Sequence, residues 1–125
     1  MIDFENAKFL KMHQVDNKTF EPMILPMFVD NENIVATFQT TRDGIIFTNK
    51  RVIAINIQGV TGKKKDFTSL PYNKIQAFSV ETAGVLDLDS ELELWFSGMG
   101  KVHFDFTKKA DVTKLCQMIS SYVLK

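Results

Sequence analysis

Hydrophobic and polar positions in this chain alternate in short runs, densest over residues 43–58, DGIIFTNKRVIAINIQ. Two runs rich in Ile and Val, 44–48 and 51–58, flank the polar pair Asn49-Lys50. Asn tolerates the left-handed backbone of a tight turn, so the stretch predicts a β-hairpin. Upstream, Ile34, Ala36 and Phe38 alternate with Val35, Thr37 and Gln39, a strand over 34–40. Downstream come a short strand over 66–70, ended by Pro71-Tyr72-Asn73, and another over 74–82. The second has apolar residues on both faces and is therefore placed centrally. Leu86, Leu88, Leu92, Leu94 and Phe96 then alternate with Asp87, Asp89, Glu91 and Glu93, apolar inward and acidic outward. Ser90 offers a divide in this run between a loop and a strand. Val102, Phe104 and Phe106 alternate likewise. Matching apolar faces puts Phe96 opposite Val102, Leu94 opposite Phe104 and Leu92 opposite Phe106, around a loop of odd length, Gly98-Met99-Gly100. On the outer face Trp95 then opposes His103 and Glu93 opposes Asp105, like charges that need a cation or a partner to relieve them.

Both ends read as helical. Asp3 caps a helix to about His13, with Ile2 stapled against Ala7 and with Phe4, Ala7 and Leu10 on one face. Thr107 caps a helix over 108–124, whose apolar stripe is Val112, Leu115, Cys116, Ile119, Tyr122 and Val123. Residues 20–29, FEPMILPMFV, are apolar almost throughout, yet Pro22 and Pro26 disfavour both a central strand and a long helix. Short turns fit this segment, packed on the domain's own sheet or on a neighbouring subunit. The expected architecture is mainly β: a helical or extended segment over 1–30, then a domain over 31–125. In that domain seven antiparallel strands curl into a partly open barrel capped by the C-terminal helix.

At 125 residues the chain makes one domain with a core that needs neither metal nor disulfide. Lys and Arg together number 15, as do Asp and Glu, so any attraction to an anionic surface must come from a local cluster. Cys116 is the single cysteine and suits a reducing compartment. The N-terminus lacks a signal-peptide layout and no apolar run reaches bilayer length, so a cytoplasmic protein is expected. The 11 Phe against 1 Trp and 2 Tyr point to a core or an interface built on rings that carry no polar group.

Residues 59–65, GVTGKKK, combine two glycines with Lys63, Lys64 and Lys65, a composition able to hold a phosphate or an anionic headgroup. Ile57 stands where a nucleotide-binding P-loop needs its first glycine. The acidic row 87–93 lacks the glycine and flanking helices of a calcium loop, and alternation alone accounts for it. His13 and His103 are too few and too scattered for zinc beside one cysteine. Cys116, on the helix stripe, reads as a buried thiol. No catalytic residue, cofactor or metal is expected, and no basic face interleaved with aromatics suggests nucleic acid. Met23, Ile24, Leu25, Met27 and Phe28 offer more apolar surface than a connector needs for itself, which makes them candidate oligomer contacts.

Seven strands and a closing helix resemble the pleckstrin-homology superfold. More specifically, residues 42–53 (RDGIIFTNKRVI), 59–64, 75–84 (IQAFSVETAG) and 86–92 (LDLDSEL) look like successive motifs of the bacterial pleckstrin-homology-like domains. The similarity runs over about 34–124. It implies a domain without enzymatic activity that assembles into ring-shaped homo-oligomers and presents a surface to a protein partner. Lipid-binding pleckstrin-homology domains hold phosphoinositide with basic residues around the first hairpin loop, where this chain has Arg42 alone. That departure speaks against phosphoinositide recognition, and Arg42 with Lys63, Lys64 and Lys65 stays as the alternative anion- or lipid-binding site read from the residues themselves.

Overall fold

Period-two runs separated by turn residues fold, in a computed structural model, into strands that pair antiparallel with their chain neighbours. The structure describes residues 11–86, 88–107 and 110–124. Among these, the strands are β1 (His13–Val15), β2 (Ile34–Gln39), β3 (Gly44–Thr48), β4 (Arg51–Gln58), β5 (Lys64–Pro71), β6 (Ile75–Glu81), β7 (Ser90–Phe96) and β8 (Gly100–Phe106). Two helices, α1 (Glu21–Ile24) and α2 (Val112–Val123), and 3-10 turns at Leu25–Met27 and Tyr72–Lys74 complete the described elements.

The strands form two sheets, β1-β2-β3-β4-β5 and β6-β7-β8, where a single curled barrel was expected. Pro71 and the 3-10 turn at Tyr72–Lys74 carry the chain around a corner, and β5 does not pair with β6. Strand β6 is consequently an edge strand and not a central one. Phe78 and Val80 are half-buried against the core, while Gln76, Ala77 and Ser79 are exposed. The sheets are stitched at another corner, where the Met12 N–H donates to Asp105 O (2.9 Å) and the Thr107 N–H donates to Met12 O (2.9 Å).

That stitch corrects both expected helix boundaries. The expected first helix lies over residues outside those described as far as 10. At its far end, however, His13–Val15 is a strand on β2, because fully buried Met12 is worth more in the core than a helical turn would be in water. Thr107 is engaged with Met12, and α2 starts later, capped by Asp111, whose Oδ1 accepts from the Lys114 N–H at 3.0 Å. Of the predicted stripe, Val112, Leu115 and Ile119 are buried and Tyr122 and Val123 half-buried, while Cys116, expected as a buried thiol, is only half-buried.

The β3–β4 hairpin closes on Asn49-Lys50, pairing Phe47 with Val52 and Ile46 with Ile53. Asn49 does not adopt the left-handed conformation: among described non-glycine residues only Asn31 does (φ 64°). Instead Thr48 Oγ1 accepts from the Lys50 and Arg51 N–H groups, each at 3.0 Å, and turns the backbone without a positive φ.

The β7–β8 register differs from expectation by two residues. Phe96 faces Gly100, Leu94 faces Val102, Leu92 faces Phe104 and Ser90 faces Phe106, around the loop Ser97-Gly98-Met99. Gly98 (φ 80°) and Gly100 (φ 91°) make the left-handed steps that let so short a loop close. A slip of two keeps every side chain on its predicted face, so the core is unchanged while the outer pairs are re-sorted. The strand begins at Ser90; Leu86 and Leu88 lie in an exposed loop and do not face inward.

The main core lies between the sheets and α2. Phe38 packs on Phe106 (ring centroids 4.6 Å) and Phe47 (5.7 Å), and Phe47 meets Phe104 at 5.8 Å. A second cluster lies on the other face of β3 and β4, where Phe20 and Ile24 cover Ile46, Ile53 and Ile55. Burying side chains of this size stabilises by roughly 1.5–3 kcal/mol each.

Gly44 makes the second cluster possible. A Cβ there would meet the Phe20 ring at 2.6 Å. Gly44→Ala should lower stability by about 1–3 kcal/mol, the usual cost of overpacking. Phe20→Leu added to Gly44→Ala should recover part of the loss in urea unfolding, whereas strictly additive losses would place the strain elsewhere.

Candidate functional site

The end of the β3–β4 ribbon gathers the basic residues singled out above. Asp43 Oδ1 accepts from the Ile57 N–H at 2.9 Å, tying the β2–β3 turn to the end of β4. From that turn the Arg42 guanidinium donates through Nη2 to Gly59 O at 2.7 Å. Arg42 therefore meets the β4–β5 loop, with its guanidinium engaged by a backbone carbonyl. The lysines converge less. Lys64 and Lys65 are consecutive on β5, opposite Gln58 and Ile57, and so point to opposite faces. Lys63 and Lys64 are exposed and Lys65 is half-buried. Fully exposed Val60 caps the loop, an apolar tip that the charge pattern had obscured.

The candidate oligomer contacts divide into an anchor and an outward edge. Ile24 is wholly buried in its own chain and cannot serve a partner; Met23 and Phe28 are half-buried against the same cluster. Leu25 (49% exposed), Met27 (43%) and Val29 (57%) face outward, and Val29 was not singled out by the sequence. A buried ion pair holds this edge in place. Arg51 donates through Nε to Glu32 Oε2 and through Nη2 to Glu32 Oε1, both at 2.9 Å. The same Nη2 also reaches Met27 O at 2.9 Å. Thr48 Oγ1 donates to Glu32 Oε2 at 2.7 Å. Burial would raise the Glu32 carboxyl, but hydrogen bonds from Arg51, Thr48 and the Val29 N–H outweigh it and hold the group below its ordinary value.

The true β7–β8 register builds a third constellation, on the outer face of the smaller sheet. One rung reads Glu81, Glu91, Asp105 across β6, β7 and β8; the next reads Ser79, Glu93, His103. His103 Nε2 lies 2.7 Å from Asp105 Oδ1 and its Nδ1 lies 3.1 Å from Glu93 Oε2. Lys101 Nζ sits 2.9 Å from that same Glu93 oxygen. Burial between neighbouring strands, then the carboxylates of Glu81 and Asp105 on either side, push Glu91 up to about 7. Burial would lower His103, but Asp105 and Glu93 more than reverse that and raise it. Lys101, then His103, hold Glu93 below its ordinary value against burial. Sequence reasoning had noticed facing like charges but assigned them to the wrong pair. Of the acidic row 87–93, Asp87 lies outside the described residues.

Two antiparallel sheets closed by a C-terminal helix define a pleckstrin-homology-like fold, and the comparisons with known proteins agree. The family described as bacterial PH domain matches residues 3–123, and the chain belongs to that family. It is similar to a DUF1696-family protein with a pleckstrin-homology domain from Shewanella loihica (TM-score 0.75, 38% identity, 90% of this chain and 97% of that one). It is also similar to a pleckstrin homology domain from Shewanella amazonensis (TM-score 0.64, 39% identity, 89% and 90%). In Bacillus subtilis (strain 168), YjqA is 53% identical over 72 residues, 58% of this chain and 58% of YjqA. YozO there is 28% identical over 109 residues, 87% and 94% of the two chains. The match thus spans a little over half of YjqA and nearly all of YozO. No helix among the described residues is long and apolar enough to cross a membrane.

The outer-face cluster gives a pH dependence of definite sign. Glu91 and His103, set among Glu81, Glu93, Lys101 and Asp105, both hold protons more tightly folded than unfolded. Their stabilising contribution is present at low pH and is lost as pH rises through the folded values. In metal-free buffer the urea midpoint should therefore fall between about pH 6 and 8. His103→Gln combined with Glu91→Gln should flatten that slope; an unchanged slope in the double variant would disconnect it from this cluster.

Proposed function

We propose that the domain is a non-catalytic interaction module that self-assembles into a ring-like homo-oligomer and presents a surface to a protein partner in the cytoplasm. The observation that carries this is the outward edge Leu25, Met27 and Val29, apolar side chains held in water by a segment that is itself anchored by Phe20, Ile24 and the Arg51–Glu32 pair. A flexible connector would fold such side chains inward; a clamped one keeps them available. Strands β5 and β6 add edges that no other strand pairs among the described residues. An apolar edge meeting a different surface on the next copy is a head-to-tail contact, which closes into a ring when the rotation allows. Native mass by light scattering should exceed that of one chain at micromolar concentration. Leu25→Asp with Met27→Asp should reduce it at least twofold with an unchanged circular dichroism spectrum; a wild-type monomer at high micromolar concentration would remove the assembly.

A second reading, binding to anionic lipid or phosphate, is favoured by the Arg42–Gly59 contact, which brings a cation beside the lysine-bearing loop with Val60 at its tip. In a ring, repeated loops would add avidity. Co-sedimentation with vesicles containing phosphatidylserine should exceed that with neutral vesicles. It should fall on combining Lys63→Ala, Lys64→Ala and Lys65→Ala; equal binding to both vesicle types would end this reading.

A further inference from the structure

On the outer face of β6–β7–β8, opposite to the side that packs against the core, neighbouring strands bring two carboxylates and an imidazole together. We propose that Glu91, His103 and Asp105 form a binding site for one divalent transition-metal ion of the zinc class. Their ligand atoms lie within 4.8 Å of one another. Bonds of about 2.1 Å in a tetrahedral arrangement need ligand atoms roughly 3.4 Å apart, a change that side-chain torsions supply without moving the strands. Glu91 and Asp105 are direct cross-strand partners, and His103 is the diagonal neighbour of Glu91 two residues along β8. The platform is thus rigid backbone ladder and not loop.

The imidazole is oriented for the task. A metal-binding histidine donates its other ring N–H to a carboxylate, which fixes the tautomer and raises ligand basicity. Here His103 Nδ1 faces Glu93 Oε2 at 3.1 Å, and Lys101 Nζ pins that oxygen from the far side at 2.9 Å. With Nδ1–H committed to Glu93, Nε2 lies 2.7 Å from Asp105 Oδ1 in a hydrogen bond, whose proton the incoming ion would displace. Glu81, across from Glu91 on β6, lies outside this group of three, and water would complete the shell.

Charge argues the same way. The rung Glu81, Glu91, Asp105 aligns three carboxylates across three strands, where like charges directly opposite are unfavourable. A dication would answer all three at once, whereas Lys101 faces Glu93 and His103 is shared between Glu93 and Asp105. One imidazole nitrogen with carboxylate oxygens suits zinc, cobalt, nickel or manganese better than calcium or magnesium, which prefer all-oxygen shells.

The test uses untagged full-length protein, stripped with chelator and titrated calorimetrically with zinc chloride at neutral pH. The expected result is one zinc per chain, with binding lost or weakened at least tenfold in His103→Gln and in Asp105→Asn. Glu93→Gln should weaken it about tenfold without changing stoichiometry, as a positioning partner does. His13→Gln, which removes the other histidine, should leave the titration unaltered. Circular dichroism checks that each variant is folded, and X-ray absorption of the zinc form should show nitrogen and oxygen neighbours without sulfur. No uptake, uptake indifferent to His103→Gln, or calcium bound as tightly as zinc would each overturn the proposal.

Discussion

The β3–β4 hairpin is buried on both faces, and the rest of the chain is arranged to satisfy that constraint. Ile45, Phe47, Val52 and Ala54 face the main core; Ile46, Ile53 and Ile55 face away from it and would meet water in a bare two-sheet fold. The segment over 20–29 removes that exposure. Its prolines, which exclude it from a sheet, let it lie across one as a helical turn followed by a 3-10 turn. Arg51 sits at the start of β4 and clamps the cover through Glu32, so the hairpin both requires the lid and supplies its latch. Leaving Glu32 buried without its cation would cost about 3–5 kcal/mol, which makes the latch a condition of the lid's position.

Much of this was legible because parity is. All seven expected strands exist between β2 and β8, and α2 buries Val112, Leu115 and Ile119 as its stripe requires. Alternation assigns faces but is blind to a shift of two, and so the β7–β8 partners were misassigned while their faces were right. The apolar residues of β6 suggested a central strand because Ile75 and the pair Phe78 and Val80 differ in parity; the irregularity between Ile75 and Ala77 brings them to the same side of an edge strand. Met12 shows tertiary context overriding local periodicity, since the chain after its bonds to β8 runs as a strand on β2 over His13–Val15 where the end of a helix was expected.

The candidate sites were legible to different degrees for the same reasons. Arg42 and the lysine loop are close because adjacent strands pair, which follows from the hairpin itself. That Lys64 and Lys65 diverge also follows from strand geometry. The division of residues 20–29 into anchor and edge depends on which side chains the sheet accepts, and nothing in a run of apolar letters separates Ile24 from Leu25. The grouping of Glu91, His103 and Asp105 was hidden entirely by the register, because the residues are local on their own strands and meet only through the true pairing.

The tight Ser97-Gly98-Met99 connection has a further consequence. Moving the turn by one residue along the chain, which shifts the pairing by two, would leave the Phe and Leu side chains on the interior while sliding every acidic, basic and imidazole group to a new neighbour outside. Such a fold separates two inheritances: its interior is protected by parity, and its solvent-side chemistry is rewritten by a change at one turn. A relative sharing the scaffold can differ in which side chains meet on its small sheet without any substitution on that sheet.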